Sequence, residues 1–225
     1  MRRSILVTLA AGAVAALTIG VIAATAGNGS SSDRMQTHAS HAMTASALTK
    51  SDLRNLLNRL LGEHAALAMN ATNLGVTGSK SFPAAAKALD RNSVELSKAI
   101  GSIYGAKAAK TFLDGPFQWR AHVGFFVDYT VALAKKDKAG QNKAVANLKT
   151  YTVRHGDFLA GATGLPKLAV QNDLLGHVLE LKGQLDAYAD GNYAKAADQY
   201  RKAYAHMFMT GDLLAGAIAK QKNLR

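Results

Sequence analysis

The stretch that decides the fold is residues 53–74, which read LRNLLNRLLGEHAALAMNATNL. Its apolar side chains recur every three to four residues, which is the period of an α-helix that buries one face. His64 falls on that same apolar face. Just upstream, Thr49 and Asp52 have the spacing of a capping box, in which a hydroxyl and an acid bond the first free N–H groups of a helix. The sequence therefore predicts a helix that begins near residue 50 and turns His64 toward a core.

The composition of the whole chain agrees with a helical globular protein. Of 225 residues, 48% are hydrophobic and 19% are charged, which excludes a disordered body. The sequence contains no cysteine, so disulfide scaffolds, cysteine-ligated metal clusters and cysteine nucleophiles are excluded. Three prolines and an abundance of alanine argue against an all-β protein.

Breaks in the helical pattern after residue 48 divide the chain into six main helices. The breaks fall at residues 75–81, 105, 115–116, 137–140, 163–166 and 190–192. A short helix is expected over residues 106–113, and the third long helix is expected to start near Phe117. The predicted fold is an all-α, antiparallel six-helix bundle built from three helical hairpins. A ferritin-like four-helix core with an additional helix pair is the alternative.

Part of this pattern is duplicated. Residues 156–162 (GDFLAGA) and 211–217 (GDLLAGA) agree at six of seven positions, at an offset of 55 residues. The same offset places His122 on His177. Because one offset holds across two separate predicted helices, we interpret the last two hairpins as copies of each other.

Histidines are the most informative residues of the predicted helices. Each of five helices carries one, on an apolar stripe or at its edge: His64, His122, His155, His177 and His206. These residues lie about 14–17 positions from the turn of their hairpin, and Asn92 takes the equivalent place opposite His64. At 1.5 Å per residue, an antiparallel hairpin brings such positions to one level, ~21–25 Å from the turn. We therefore predict a layer of five imidazoles and one amide in the middle of the bundle.

Such a layer is a candidate site for a transition metal or a metal cofactor, since imidazole suits zinc, copper or iron and bundle cores hold metals and cofactors through inward side chains. The predicted ligands are His64, His122, His177, His206 and His155, with Asn92 and Met207 as accessory groups. The thioether of Met207 favours copper because sulfur is a soft ligand. Two alternatives stay open: a hydrogen-bonded polar seam that fixes helix register, and a pH-responsive bundle whose buried imidazoles titrate.

No catalytic motif accompanies the histidines in the sequence. A glycine-rich phosphate loop, a G-x-S-x-G elbow and an H-E-x-x-H pair are all missing, and the spacing does not match the di-iron carboxylate pattern. The sequence therefore favours a protein that is not an enzyme. The alternative function is a structural or interaction module at the cell surface.

The first 47 residues predict export. Residues 1–26 have a basic start, an uncharged apolar run over 5–23 and the small-residue pattern ATA at 24–26, which predicts a signal peptide cleaved after Ala26. An N-terminal membrane anchor is the alternative. Residues 27–47 are predicted to be a flexible linker before the bundle domain of 48–225. The net charge of +12 suits anionic cell-wall polymers or a membrane surface as partner, and no nucleic-acid-binding motif is found.

Three segments carry a family resemblance: LDRNS at 89–93, WRAHVGFFVDYT at 119–130 and AYAHM at 203–207. Together with Glu63 and His64 they resemble a family of uncharacterised secreted helical proteins of Gram-positive bacteria. Some members are named after a copper amine oxidase-type stalk domain that is attached to them, and no stalk domain is found in this sequence. The resemblance spans residues 50–222, and it implies an exported all-helical protein without implying an oxidase activity. No motif of the family matches at His155.

Overall fold

The computed structural model describes residues 48–225, and every structural statement below concerns that part of the chain. It contains seven helices and no strand, so the predicted all-α class is confirmed. In chain order the helices are α1 (Lys50–Val76), α2 (Phe82–Tyr104), α3 (Ala106–Leu113), α4 (Trp119–Ala134), α5 (Lys138–Thr163), α6 (Lys167–Ala189) and α7 (Tyr193–Lys222). The predicted signal peptide, its anchor alternative and the linker lie outside the described residues.

The ends of the helices mostly follow the local chemistry of the sequence. The capping box of α1 is confirmed, since Asp52 N donates to Thr49 Oγ1 and Thr49 N donates to Asp52 Oδ2, each at 3.1 Å. Gly105 separates α2 from α3 with a φ of 88°, a conformation that favours glycine. The start of α4 was expected near Phe117 but lies at Trp119, because Gln118 keeps an extended backbone.

The helices pack as three antiparallel pairs, α1 with α2, α4 with α5 and α6 with α7. Neighbouring pairs meet where α5 contacts α6 and where α7 contacts α1. Helix α1 also contacts α4 and α6, so it packs against a helix of every hairpin. These contacts fit a bundle of three helical hairpins. The core is built of buried leucines and alanines from all of the long helices.

The duplicated Gly-Asp pairs join one hairpin to the next. On α5, Asp157 Oδ1 accepts a hydrogen bond from Gln171 Nε2 of α6 at 2.9 Å and lies 3.7 Å from Lys167 Nζ. A Cβ atom at Gly156 would lie 2.8 Å from Gln171 Cγ, so only glycine permits this close approach of α5 to α6.

The second copy makes the same junction between α7 and α1. Asp212 Oδ1 accepts from Asn58 Nδ2 at 2.8 Å, and Arg54 Nη2 pairs with Asp212 Oδ2 at 2.5 Å. A Cβ atom at Gly211 would collide with the Asn58 side chain. In both junctions a cation and an amide, four residues apart on the receiving helix, bind the aspartate. The repeat thus marks the contact through which one hairpin packs against the next, and we call this contact the Gly-Asp junction.

Candidate metal centre

Four of the five helix histidines point into the core, as predicted. His64, His122, His155 and His177 come from α1, α4, α5 and α6, and each is at most 3% exposed. A buried imidazole needs partners for one N–H group and one lone pair, because the neutral ring carries both. The partners that each ring finds therefore distinguish a packed histidine from a ligand.

His64 and His122 face each other. Their Nε2 atoms lie 3.4 Å apart and their ring centroids 5.3 Å apart. His122 Nδ1 contacts the carbonyl oxygen of Trp119, which can only accept, so Nδ1 carries the proton of that ring. Nε2 of His122 is consequently unprotonated and presents its lone pair to His64. A separation of 3.4 Å is long for a hydrogen bond between these nitrogens.

His177 lies beside this pair without a polar partner. Its ring centroid is 6.0 Å from that of His64, and within residues 48–225 neither of its ring nitrogens has a hydrogen-bond partner. Nδ1 of His64 is also buried and unpaired. Each buried donor or acceptor without a partner costs about 1–3 kcal/mol, so three such nitrogens in one cluster need an explanation.

His206 has a different environment from the other four. Its Nδ1 lies 2.9 Å from Glu180 Oε2 and its Nε2 lies 3.2 Å from Asp173 Oδ1. The hydrogen bond to Asp173, with that to Glu180, raises the pKa of His206 to about 8, against the effect of burial. Thr210 donates to the other oxygen of Asp173 at 2.8 Å. Both nitrogens of His206 are therefore engaged by carboxylates, although its ring still lies 6.3 Å from that of His177.

His155 is separated from the facing pair by the ring of Tyr151. Tyr151 stacks on His122 at 4.5 Å between centroids and on His155 at 5.2 Å. His155 Nδ1 bonds Gln118 Oε1 at 2.6 Å, and its Nε2 is buried without a partner. His155 therefore shares the layer, as predicted, but faces no other imidazole across a gap that one ion could fill.

The two predicted accessory residues, Asn92 and Met207, also lie in different surroundings. Asn92 Nδ2 donates to the Leu60 carbonyl at 3.0 Å and to Glu63 Oε2 at 3.1 Å, so its amide ties α2 to α1. Its Oδ1 is buried without a partner. Met207 is 1% exposed and lines the same small cavity as His177.

Trp119 also belongs to the centre, although it was not among the predicted site residues. Its ring centroid lies 4.8 Å from those of both His64 and His122 and 5.9 Å from that of His155. Its backbone carbonyl also fixes the tautomer of His122. The signal that could have found it is its position three residues before His122, on the same helix face.

The layer of buried rings is electrically neutral. Burial lowers the pKa of His64, His122 and His177 well below the ordinary value, and each neighbouring imidazole lowers it further. Burial also lowers the pKa of His155 to about 3. In the part of the chain that the structure describes, no carboxylate hydrogen-bonds any of these four rings.

Within residues 48–225, no group of three or more His, Asp or Glu side chains is arranged so that it could hold a metal ion. Among the same residues, no helix is long and apolar enough to cross a membrane. Comparison of the chain with protein-family models, curated proteins and solved structures gave no match. The family resemblance of the sequence therefore stays a prediction.

Proposed function

We propose that this chain is an exported, non-enzymatic helical-bundle protein that binds one copper(I) ion between His64 and His122. The observation that supports this most is the 3.4 Å separation of their Nε2 atoms. Two nitrogens that bind one ion at about 2.0–2.1 Å, in trigonal or tetrahedral geometry, are about 3.3–3.6 Å apart. The pair already has the spacing of two ligands, whereas it is long for a hydrogen bond.

The surroundings of His122 match those of a metal ligand. Metal-binding histidines commonly donate their second ring N–H to a carbonyl or carboxylate, which fixes the tautomer and the ring orientation. Here the Trp119 carbonyl accepts from Nδ1 and leaves Nε2 free to bind. The packing of Trp119 against both rings holds the pair in this arrangement.

His177 is the residue that completes the coordination in this proposal. It is the remaining buried imidazole in ring contact with His64, and both of its nitrogens lack partners. Within residues 48–225, no three side chains are already arranged to bind one ion. The His177 side chain must therefore turn toward His64 and His122 when the ion binds. Binding would then give one of the two unpaired nitrogens of His177 a partner, while His64 would bind through Nε2, the atom that already faces His122.

Copper(I) is favoured over divalent ions because the centre supplies no negative charge. Burying an ion whose charge is not compensated is costly, and the cost rises with the charge. The nearby acids Asp173 and Glu180 are engaged by His206 instead. Imidazole and thioether are ligands that copper accepts, and the Met207 side chain borders the cavity beside His177.

The test is anaerobic titration of the untagged full chain with copper(I) in competition with a chromogenic chelator. The wild type should hold one ion per chain, and the variants His64→Gln and His122→Gln should lose that binding. His155→Gln is the matched control, because His155 is equally buried and carries an unpaired nitrogen but faces no imidazole. Equal weak binding by all four proteins would end the proposal, as would an equal loss in His155→Gln. Circular dichroism establishes that each variant is folded.

A further inference from the structure

Two small cavities lie side by side in the core beneath the histidine layer. The first, of about 30 Å³, is lined by His177, Met207 and Thr210 among others. The second, of about 70 Å³, reaches toward Tyr104 and Ala162. Both are bordered by the same four side chains: Leu57, Ile100, Leu159 and Leu214.

The walls determine what such cavities can hold. Almost all of the surface that lines each cavity is apolar, so water would find few hydrogen-bond partners there. Apolar cavities of this kind stay dry and bind apolar guests, and one of about 150 Å³ accepts benzene or xenon. Each cavity here is smaller than that, so a guest of one or two heavy atoms fits and a larger or charged one does not.

We infer that the paired cavities admit a small, uncharged, apolar molecule of the size of carbon monoxide or dioxygen to the His177 side of the histidine layer. The binding space follows from the cavities alone, whereas the choice of a diatomic guest rests on the proposed copper(I) ion. A guest in the first cavity borders His177, the residue proposed to complete the coordination. Carbon monoxide, a molecule of this size, binds copper(I) as a neutral ligand without changing its oxidation state, so such a guest would not add charge to the core.

The first arm of the test uses metal-free protein under xenon pressure, with the methyl NMR signals of Ile218, which borders the second cavity but not the first, as the readout. Saturable shifts are expected in the wild type. Ala162→Leu fills the second cavity, and it should abolish the shifts there. Ala205→Leu adds the same side chain at an exposed position of α7 and should keep them. Absence of saturable shifts in the wild type, or their persistence in Ala162→Leu, would overturn the inference.

The second arm exposes the copper(I)-loaded chain to carbon monoxide and records the infrared spectrum. A carbonyl band of a copper(I) adduct is expected in the wild type and not in His122→Gln. Xenon shifts without copper uptake would remove the proposed function and leave the cavity site standing. Copper uptake without xenon shifts would overturn the cavity site and leave the proposed function standing. Uptake and xenon shifts without a carbonyl band would overturn the assignment of a diatomic guest.

Discussion

His206 shows how strongly the surroundings of one residue decide its chemistry. Its folded pKa of about 8 lies above the unfolded value of about 6.5, chiefly because Asp173 and Glu180 bind the charged ring. The stability that this pair of contacts adds is fully present below pH ~6.5 and is lost as the pH rises through about 8.

The variant His206→Gln should therefore differ from the wild type by more at pH 6 than at pH 9. We expect the difference in the free energy of unfolding to shrink by about 1–2 kcal/mol across that interval. Urea unfolding of both proteins at the two pH values measures it. A difference that stays constant would mean that His206 is not held as a cation.

Trp119 is the sole tryptophan of the sequence and can report on the centre directly. Because its ring lies 4.8 Å from both His64 and His122, an ion between them should quench its fluorescence strongly. The quenching should reach its end at one copper(I) per chain, and it should be missing in His64→Gln. Unchanged emission in a wild type that has taken up copper would place the ion elsewhere.

At this scale the sequence predicted the inward direction of the histidines but not their partners. Direction follows from helical period, which the sequence carries. The partners depend on contacts between helices, such as those of Asp173 and Glu180 with His206. Counting from the turns placed all five histidines at one level, whereas the repeat offset of 55 residues places Tyr151 on His206 and His155 on Thr210. The offset was the better guide, since Tyr151 does separate His155 from His122.

Among the helices, the Gly-Asp junctions give the first two positions of the repeated seven-residue stretch a structural role. Each copy docks one hairpin onto the next helix, and the glycine allows the close approach while the aspartate binds a cation and an amide. The sequence revealed the repeat because identity at a fixed offset is visible in one chain. The sequence did not show what the repeat does, because the residues that bind its two aspartates lie on other helices. They are Arg54, Asn58, Lys167 and Gln171.

Substituting alanine for the glycines of each repeat should give opposite effects at two positions. Gly211→Ala should lower the free energy of unfolding by about 1–3 kcal/mol, because the new methyl group collides with Asn58. Gly216→Ala, five residues later in the same helix, meets nothing within 4 Å and should raise it by about 0.5–1 kcal/mol. The matching pair, Gly156→Ala and Gly161→Ala, should change in the same two directions. Thermal and chemical denaturation of the four variants measures this, and equal effects at Gly211 and Gly216 would contradict the junction.

For the molecule as a whole, four buried neutral imidazoles should make the fold sensitive to acid. The folded pKa of His64, His122, His155 and His177 lies below the unfolded value of about 6.5. The contribution of these four histidines to the stability of the metal-free chain is therefore fully present above pH ~6.5 and falls as the pH drops, because the unfolded chain binds more protons.

Below pH ~6.5, each of these histidines should lower the free energy of unfolding by about 1.4 kcal/mol for every pH unit by which the pH falls. Since domains are stable by only about 5–15 kcal/mol, metal-free protein should unfold between pH ~6 and pH ~4. Helical circular dichroism during an acid titration measures the unfolding. In His155→Gln the free energy of unfolding should fall less steeply with pH, by about 1.4 kcal/mol per pH unit, because the unfolded chain takes up one proton fewer. A melting temperature that is the same at pH 7.5 and pH 5 would contradict the neutral layer.

The overall architecture was more accessible from the sequence than the site. Breaks at glycine and proline separated the helices, including the short α3, because these residues act locally. The junction of α7 with α1 was not foreseen, since no local pattern states which hairpin follows which around a core. The same limit applies to the facing pair, whose members are 58 positions apart in the chain.

The central claim is that imidazoles from separate helices share one ion, and X-ray absorption at the copper edge tests it most directly. The untagged chain loaded with copper(I) should show about two to three imidazole nitrogens near 2.0 Å, with the multiple scattering typical of histidine rings. The double variant His64→Gln with His122→Gln should retain no such ion after desalting, while His155→Gln should give the wild-type spectrum. A wild-type spectrum without imidazole scattering, or a double variant that keeps the same copper, would contradict the account.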